Sequence, residues 1–170
     1  ITSMYAEMGR RAMRLEGDST KIRLLRDGKK LPSGLREISI GTAYLTLLAL
    51  TEVKRPDEEG FWRNFSSARW VAWKTGTSFG LKDAWAVGVT PNYTIGVWAG
   101  NADGEGRPEI TGLAAAAPFL FEVLGLLDTG GEITAPPGSL KRIEVCEDSG
   151  YLATELCPGR FVWVPAESHF

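Results

Sequence analysis

The distribution of apolar residues along the chain predicts a mixture of helices and strands. Over the first fifteen positions, apolar residues recur at spacings of three and four, which is typical of an amphipathic helix. A second helix is predicted to begin at Ser39, a residue type favoured at helix N-caps, and to end before Pro56. A third is predicted over residues 113–127, where almost every side chain is apolar, so more than one of its faces must be covered.

Short strand-like runs alternate with turn signals between the second and third helices. Three strands are predicted in quick succession, over residues 70–77, 84–89 and 93–98. Pro91 and Asn92 make the turn between the second and third, and neighbours joined so closely pair antiparallel. The Asp27-Gly28 pair predicts one further hairpin. We therefore expect an α/β (α+β) fold, an antiparallel sheet flanked by helices, with the 113–127 helix packed on it.

The character of the sequence changes after residue 127. The stretch "DTGGEITAPPGS" is rich in Gly, Pro and Thr and is typical of a linker, and the tail beyond it carries the strand-like runs "RIEV" and "RFVWV". We place a boundary near residue 135 and predict two parts. Residues 1–135 form the main domain, and residues 136–170 form a linker and the start of another domain.

Composition and charge exclude several classes of function. An apolar fraction of 44% supports a packed core, and a net charge of −2 argues against a dedicated nucleic-acid-binding protein. No apolar run is long enough to cross a bilayer, and no signal peptide is recognisable. Because the chain starts at Ile1 inside a helical pattern and ends without a stop signal, we expect it to be a piece of a longer protein.

A polar cluster, "KTGTS", interrupts the first predicted strand. Strand alternation places Thr75 and Thr77 on one face and Lys74, Gly76 and Ser78 on the other. A glycine inside a strand often marks the close approach of a ligand, while the lysine supplies positive charge and the threonines supply hydroxyls. The cluster therefore suits an anionic substrate, such as a carboxylate-bearing peptide, that lies along the strand edge as an added strand.

The cluster has two other interpretations. A solvent-exposed strand edge with a glycine bulge would also explain a Lys-Thr-Gly sequence. A phosphate-binding loop is excluded, because that motif places the glycines before the lysine and leads into a helix.

Asp83 is expected to pair with Lys82 or to cap the strand turn, without a catalytic role. The tryptophans around the strands are predicted to be packing residues, with glycan stacking as the alternative for Trp62.

Several segments in order resemble the class A, bifunctional penicillin-binding proteins, and most of all their 1C type. Lys-Thr-Gly is one of three signature motifs of penicillin-binding proteins. The resemblance rests on "AYLTLLALTEVKRPDEEG", "AWKTGTSFGLKDAW", "DAWAVGVTPNYTIGVWAGN" and "VCEDSGYLATELCP", and it covers most of residues 1–165. It identifies residues 1–135 as the C-terminal part of a transpeptidase domain.

The resemblance implies a peptidoglycan DD-transpeptidase, which transfers an acyl group from a D-Ala-D-Ala stem peptide and is acylated by β-lactams. Lys74 would lie near the substrate carboxylate and assist catalysis, and Thr75 and Thr77 would donate hydrogen bonds to that carboxylate. The Thr77 backbone N–H would be an oxyanion-hole donor, with Gly76 and Ser78 lining the substrate groove. No cofactor or metal is implied. The parent protein would lie at the periplasmic face of the inner membrane, anchored by a segment outside this chain, with a glycosyltransferase domain further upstream.

The nucleophile that such an enzyme requires is missing from this sequence. No serine is followed by lysine three positions later, and none by asparagine two positions later. In the family both motifs precede the Lys-Thr-Gly strand, so we expect them before Ile1, on the rest of the transpeptidase domain. This chain alone would then be inactive. The alternative is a non-catalytic module that binds cell-wall peptide or a partner protein, and a β-lactamase relative is a weaker one.

Cys146 and Cys157 flank a turn signal at Asp148-Ser149-Gly150, so the chain can fold back between them. A disulfide is possible at this spacing, although geometry decides. Two buried free thiols are the alternative, and zinc is a weaker one because two cysteines and the distant His169 fall short of four ligands. If the parent is periplasmic, its oxidising environment would let a disulfide persist.

Overall fold

A computed structural model describes residues 1–15, 38–53 and 70–169. The hairpin predicted around Asp27-Gly28, the loop over residues 55–69 and Trp62 lie outside the described residues. Within them the chain forms three α-helices, one π-helical turn and two antiparallel sheets.

The helices match the predicted elements, with shorter ends. They are α1 (Thr2–Ala12), α2 (Ile40–Thr51) and α3 (Ala117–Gly125). The predicted N-cap of α2 is confirmed: Ser39 Oγ accepts a hydrogen bond from the Thr42 backbone N–H at 3.1 Å. This contact satisfies one of the backbone donors that the first turn of a helix leaves unpaired.

A three-stranded antiparallel sheet forms the centre of the fold. Its strands are β1 (Ala72–Thr77), β2 (Asp83–Val89) and β3 (Thr94–Gly100), in the order β1-β2-β3. The turn predicted at Pro91 and Asn92 is present, and Thr90 closes it. The Thr90 N–H donates to Tyr93 O at 2.8 Å, and Thr90 Oγ1 accepts from the Tyr93 N–H at 3.0 Å. In the described part of the chain, β1 is an edge strand with no partner on its outer side.

Helices cover both faces of this sheet, so the fold has three layers. On one face Trp73 packs edge-to-face on Phe121 of α3, with ring centroids 5.0 Å apart. On the other face Ala72 and Val89 pack with Leu47 of α2 and with the end of α1. The predicted antiparallel sheet flanked by helices, with the third helix packed on it, is confirmed.

The third helix begins differently from the prediction. A π-helical turn over Gly112–Ala116 precedes α3, and Thr111 Oγ1 caps it by accepting from the Ala114 N–H at 3.1 Å. Pro118 lies in the first turn of α3, where its missing N–H costs no helical hydrogen bond. Among the described residues nothing covers the outward side of α3, where Phe119 is 57% exposed. The expectation that more than one face is covered is therefore wrong for this side.

The tail folds into a two-stranded hairpin, as the strand-like runs predicted. Its strands are β4 (Leu140–Cys146) and β5 (Gly159–Pro165), paired antiparallel. A disulfide joins Cys146, the last residue of β4, to Cys157, two residues before β5 begins. The open end of the hairpin packs against the start of α2. A Cβ built on Gly41 would lie 2.9 Å from the Pro165 Cα, so there is no room for a side chain at this position. The domain boundary near residue 135 stays a prediction. None of the described helices is long and apolar enough to span a bilayer.

Candidate functional site

The outer edge of β1 presents backbone groups that β2 does not use. Ser78 donates its backbone N–H to Asp83 O at 2.9 Å, so the backbone of Ser78 faces β2. Because backbone groups alternate sides along a strand, those of Thr75 and Thr77 point to the outer edge. The Lys74 ammonium donates to Thr75 O, which fits this orientation. The edge can therefore hydrogen-bond an added strand.

The side chains of the Lys-Thr-Gly cluster divide between the two faces of β1. Thr77 Oγ1 accepts a hydrogen bond from the Gly112 N–H at 3.0 Å, so Thr77 lies on the face that α3 covers. Lys74 and Gly76 lie on the opposite face and are exposed. The Thr77 hydroxyl accepts this hydrogen bond and keeps its own proton, with which it can donate to another acceptor.

Gly76 is not required by the packing of the chain itself. The β1–β2 register runs one to one through it, pairing Thr75 with Ala86, Gly76 with Trp85 and Thr77 with Ala84. This register contains no bulge, so the bulge interpretation is wrong. A Cβ added to Gly76 would meet only the Trp85 Cβ, at an ordinary 3.9 Å, and the backbone is not left-handed. The space above Gly76 is therefore open.

At Gly112, in contrast to Gly76, the packing of the chain leaves no room for a side chain. A Cβ built there would lie 2.6 Å from Gly76 O and 2.7 Å from Trp85 O. The π-helical turn thus lies directly against the β1–β2 pair, and this contact brings the Gly112 N–H to the Thr77 hydroxyl.

A cleft of about 510 Å³ opens beside this edge, between the start of α1 and strands β1 and β2. It is lined by all five residues of the predicted cluster and by five others to which the sequence pattern assigns no site role. The lining residues are Ile1, Tyr5, Lys74, Thr75, Gly76, Thr77, Ser78, Asp83, Trp85 and Val87. The close approach of α1 depends on β3, where Thr2 Oγ1 occupies the place of a side chain at Gly96.

The cleft has opposite charges at its two ends. Lys74 lies at one end, and Asp83, level with Ser78, lies at the other. Four residues of strand separate these levels, which is about 13 Å. The floor between them is the indole of Trp85 and the side chain of Val87. Such a cleft suits an elongated ligand with an anionic and a cationic end.

Asp83 was expected to pair with Lys82 or cap a turn, and the structure gives its carboxylate another partner. The Trp98 Nε1–H donates to Asp83 Oδ1 at 2.9 Å, while the Asp83 backbone N–H donates to Ser78 Oγ at 2.8 Å. The second contact does hold the turn. The signal that could have located Asp83 in the cleft is strand alternation continued across the turn, which puts residues 83, 85 and 87 on the Gly76 face.

The other candidates lie away from the cleft. The disulfide between Cys146 and Cys157 belongs to the β4–β5 hairpin, and His169 is exposed at its end. Among residues 1–15, 38–53 and 70–169, no three His, Cys, Asp or Glu side chains are grouped to hold a metal ion.

Two curated proteins and a solved structure are similar to this chain, whereas no protein-family model matches it. The chain is 35% identical over 111 residues to penicillin-binding protein 1C of Escherichia coli (strain K12), which covers 65% of the chain and 14% of that protein. It is 34% identical over 89 residues to penicillin-binding protein 1A of Clostridium perfringens, covering 51% and 11%. The crystal structure of penicillin-binding protein 1A from Haemophilus influenzae matches with a TM-score of 0.54 and 26% identity, over 76% of this chain and 21% of that one.

The chain thus spans about a seventh of the length of the first curated relative. Both relatives and the solved protein are named as penicillin-binding proteins of type 1A or 1C. The structural match extends over three quarters of the chain. The fold agrees with these matches, which support a fragment of a class A penicillin-binding protein.

Proposed function

We propose that this chain carries the substrate-binding strand of a peptidoglycan DD-transpeptidase. The observation that supports this proposal most is the outer edge of β1, where backbone groups that no described strand pairs, the Lys74 ammonium and the open space at Gly76 meet in one cleft. An extended peptide can add to such an edge through main-chain hydrogen bonds, with side-chain pockets supplying specificity.

The charges of the cleft favour one direction for that peptide. Its C-terminal carboxylate lies beside the Lys74 ammonium and the hydroxyls of Thr75 and Thr77, away from the Asp83 carboxylate. The peptide therefore runs antiparallel to β1, and its upstream residues pass Ser78. Antiparallel pairing is also the slightly more stable arrangement for each residue.

Each residue of the cluster then has a role in acyl transfer. A serine attacks the carbonyl carbon of the penultimate D-Ala, and negative charge develops on the carbonyl oxygen. The amide bond to the terminal D-Ala then breaks, and this residue leaves with the proton given up by the serine. The Thr77 backbone N–H, pointing to the outer edge, donates to that oxygen, and one such donor is worth about 3 kcal/mol of barrier. Lys74 supports catalysis by donating hydrogen bonds to the substrate carboxylate and to the serine of the Ser-x-Asn motif. That serine takes part in proton transfer. β-Lactams occupy the same place and acylate the same serine.

The serine and its lysine base are proposed to lie on another segment of a longer polypeptide. This sequence contains no Ser-x-x-Lys and no Ser-x-Asn, and it spans only a small part of its relatives. The site would therefore form between this chain and the rest of the transpeptidase domain. A glycosyltransferase domain and a membrane anchor on the same polypeptide, at the periplasmic face of the inner membrane, complete the proposal.

A non-catalytic module that binds cell-wall peptide is the second candidate, because the exposed edge of β1 could add a peptide strand without any acyl transfer. Mass spectrometry of the full-length protein after incubation with penicillin separates the two. A covalent adduct on a serine supports the transpeptidase, and reversible binding without an adduct supports the module.

The site assignment is tested by replacing Lys74 with alanine in the full-length protein. Lys74 is exposed, so its loss should barely change the melting temperature, since exposed charges contribute little to stability. The rate constant for acylation by fluorescent penicillin should fall by about tenfold or more, because a charge-assisted contact to the carboxylate is removed.

The matched control is Lys82→Ala, which removes an exposed lysine that does not line the cleft. It should leave the acylation rate constant at the parent value. Equal acylation by the parent, Lys74→Ala and Lys82→Ala proteins would remove Lys74 from the site.

A further inference from the structure

A buried N–H group lies behind β1 and contacts one hydroxyl of the Lys-Thr-Gly cluster. The Gly112 N–H donates to Thr77 Oγ1 at 3.0 Å. Gly112 is buried, whereas Thr77 is exposed and lines the cleft. This hydrogen bond therefore connects the interior of the fold to a side chain on the surface of the proposed site.

The start of the π-helical turn supplies the donor. The first N–H groups of a helix have no acceptor within their own helix, so they are available to other groups. The Ala114 N–H is used by the cap, Thr111 Oγ1, and the Gly112 N–H is used by the strand. The turn is wound more widely than an α-helix, because the Ala117 N–H donates to Gly112 O, five positions back. Such π-helical turns occur frequently at functional sites.

The packing around Gly112 fixes where this donor lies. A Cβ on Gly112 would lie 2.6 Å from Gly76 O and 2.8 Å from the Thr75 Cβ. Only a glycine lets two backbone segments approach this closely. The position of the N–H relative to Thr77 is therefore set by contacts between backbones and not by a flexible side chain.

The contact restricts the Thr77 side chain before any ligand binds. A hydroxyl has one proton and two acceptor sites, and one of those sites receives the Gly112 N–H. A β-branched side chain has few χ1 rotamers, and only a rotamer that keeps Oγ1 beside Gly112 preserves the hydrogen bond. Ordering a free side chain on binding weakens affinity, so a hydroxyl that is already held in place binds a ligand more strongly.

We propose that the backbone N–H of Gly112 is a positioning group for the transpeptidase reaction. It holds the Thr77 side chain in one rotamer in the free protein and leaves the hydroxyl proton available to the substrate carboxylate. The π-helical turn over Gly112–Ala116 then acts on the reaction through Thr77. This inference rests on the proposed function, in which Thr77 donates to that carboxylate.

The test removes the N–H without adding a side chain. Replacing Gly112 by glycolic acid in the full-length protein converts the peptide bond after Thr111 into an ester, which has no N–H. Acylation is measured with two peptides that end in D-Ala-D-Ala, one with a free C-terminal carboxylate and one with a carboxamide there. The ratio of their second-order rate constants should be about fivefold lower than in the parent, which is within the usual cost of ordering one side chain. A general loss of structure would lower both rate constants and leave the ratio unchanged.

The matched control is an ester in the same turn. Replacing Ala114 by lactic acid removes the N–H that Thr111 Oγ1 accepts and keeps the one that contacts Thr77. This variant should retain the parent ratio. In Thr77→Val, which has no hydroxyl, the glycolic acid replacement at Gly112 should cause no further change in the ratio, because the two groups act as one unit.

The outcomes separate this inference from the proposal on which it rests. A parent ratio in the Gly112 ester, or a further fall of the ratio in the Thr77→Val background, would overturn the inference. If the ester variant does not fold, three-bond coupling constants of Thr77 in the free parent protein decide. They should report a single χ1 rotamer, and averaging over rotamers would overturn the inference. If neither peptide nor penicillin acylates the parent protein, the proposed transpeptidase site itself is wrong.

Discussion

Replacing Gly76 with alanine distinguishes a glycine that ligand binding requires from a glycine that folding requires. The added Cβ would meet one atom, the Trp85 Cβ at 3.9 Å, and the backbone conformation is open to any residue. Alanine also restricts the unfolded chain, which stabilises by about 0.4–1 kcal/mol where the native conformation permits. The melting temperature should therefore stay the same or rise by about 2–4 °C for a unit of this size.

The same methyl group projects into the cleft. A ligand that packs against Gly76 then suffers overpacking, which costs about 1–3 kcal/mol in a well-fitted site. The acylation rate constant of the full-length protein with fluorescent penicillin should fall by about tenfold or more. Stability and acylation are thus expected to move in opposite directions.

Gly112→Ala is the matched control for this experiment, because its Cβ would lie 2.6 Å from Gly76 O. That variant should lose stability, with a melting temperature several degrees lower, since backbone atoms have to move. If Gly76→Ala acylates at the parent rate, nothing packs against that position and the reasoning about the cleft is refuted. A large loss of stability in Gly76→Ala would show that the space above Gly76 is not open, which contradicts the structure.

Three further predictions concern the surroundings of the cleft and the tail. Thr77→Val should lower the free energy of unfolding by about 1–3 kcal/mol because the Gly112 N–H loses its acceptor, whereas Thr77→Ser should stay near the parent value in urea unfolding. The chain by itself should form no covalent adduct with fluorescent penicillin, and a labelled band on a denaturing gel would contradict this. Protein from an oxidising compartment should take up no alkyl groups at Cys146 and Cys157 under denaturing, non-reducing conditions, and reduction should cost about 2–3 kcal/mol of stability. Two alkyl groups added before reduction would refute the bridge.

Local signals in the sequence located most of the elements. The α2 start follows from Ser39 because a cap depends on residues three positions apart. The β2–β3 hairpin follows from its turn, and the two faces of β1 follow from simple alternation. The open position at Gly76 was anticipated because a glycine inside a strand is unusual without a neighbouring surface to accommodate.

What the sequence did not reveal depends on contacts between distant residues. Asp83 received no site role, since its place in the cleft follows from the β1–β2 register and from Trp98, fifteen positions away. The π-helical turn at Gly112 could not be read from an all-apolar segment, because its geometry follows the backbone of β1 and β2 beneath it. Likewise, apolar content alone did not tell which side of α3 would be covered.

The claim that substrate binds along the outer edge of β1 is tested most directly by amide hydrogen exchange at single residues. Exchange at Thr75 and Thr77 is compared between the free full-length protein and the same protein acylated by penicillin. The account predicts that the Thr77 N–H, which points to the edge that no described strand pairs, exchanges much more slowly in the acylated protein because it donates to the acyl carbonyl oxygen. The Ser78 N–H, already bonded to Asp83 O, should change little. Unchanged exchange at Thr77 in fully acylated protein would contradict the account.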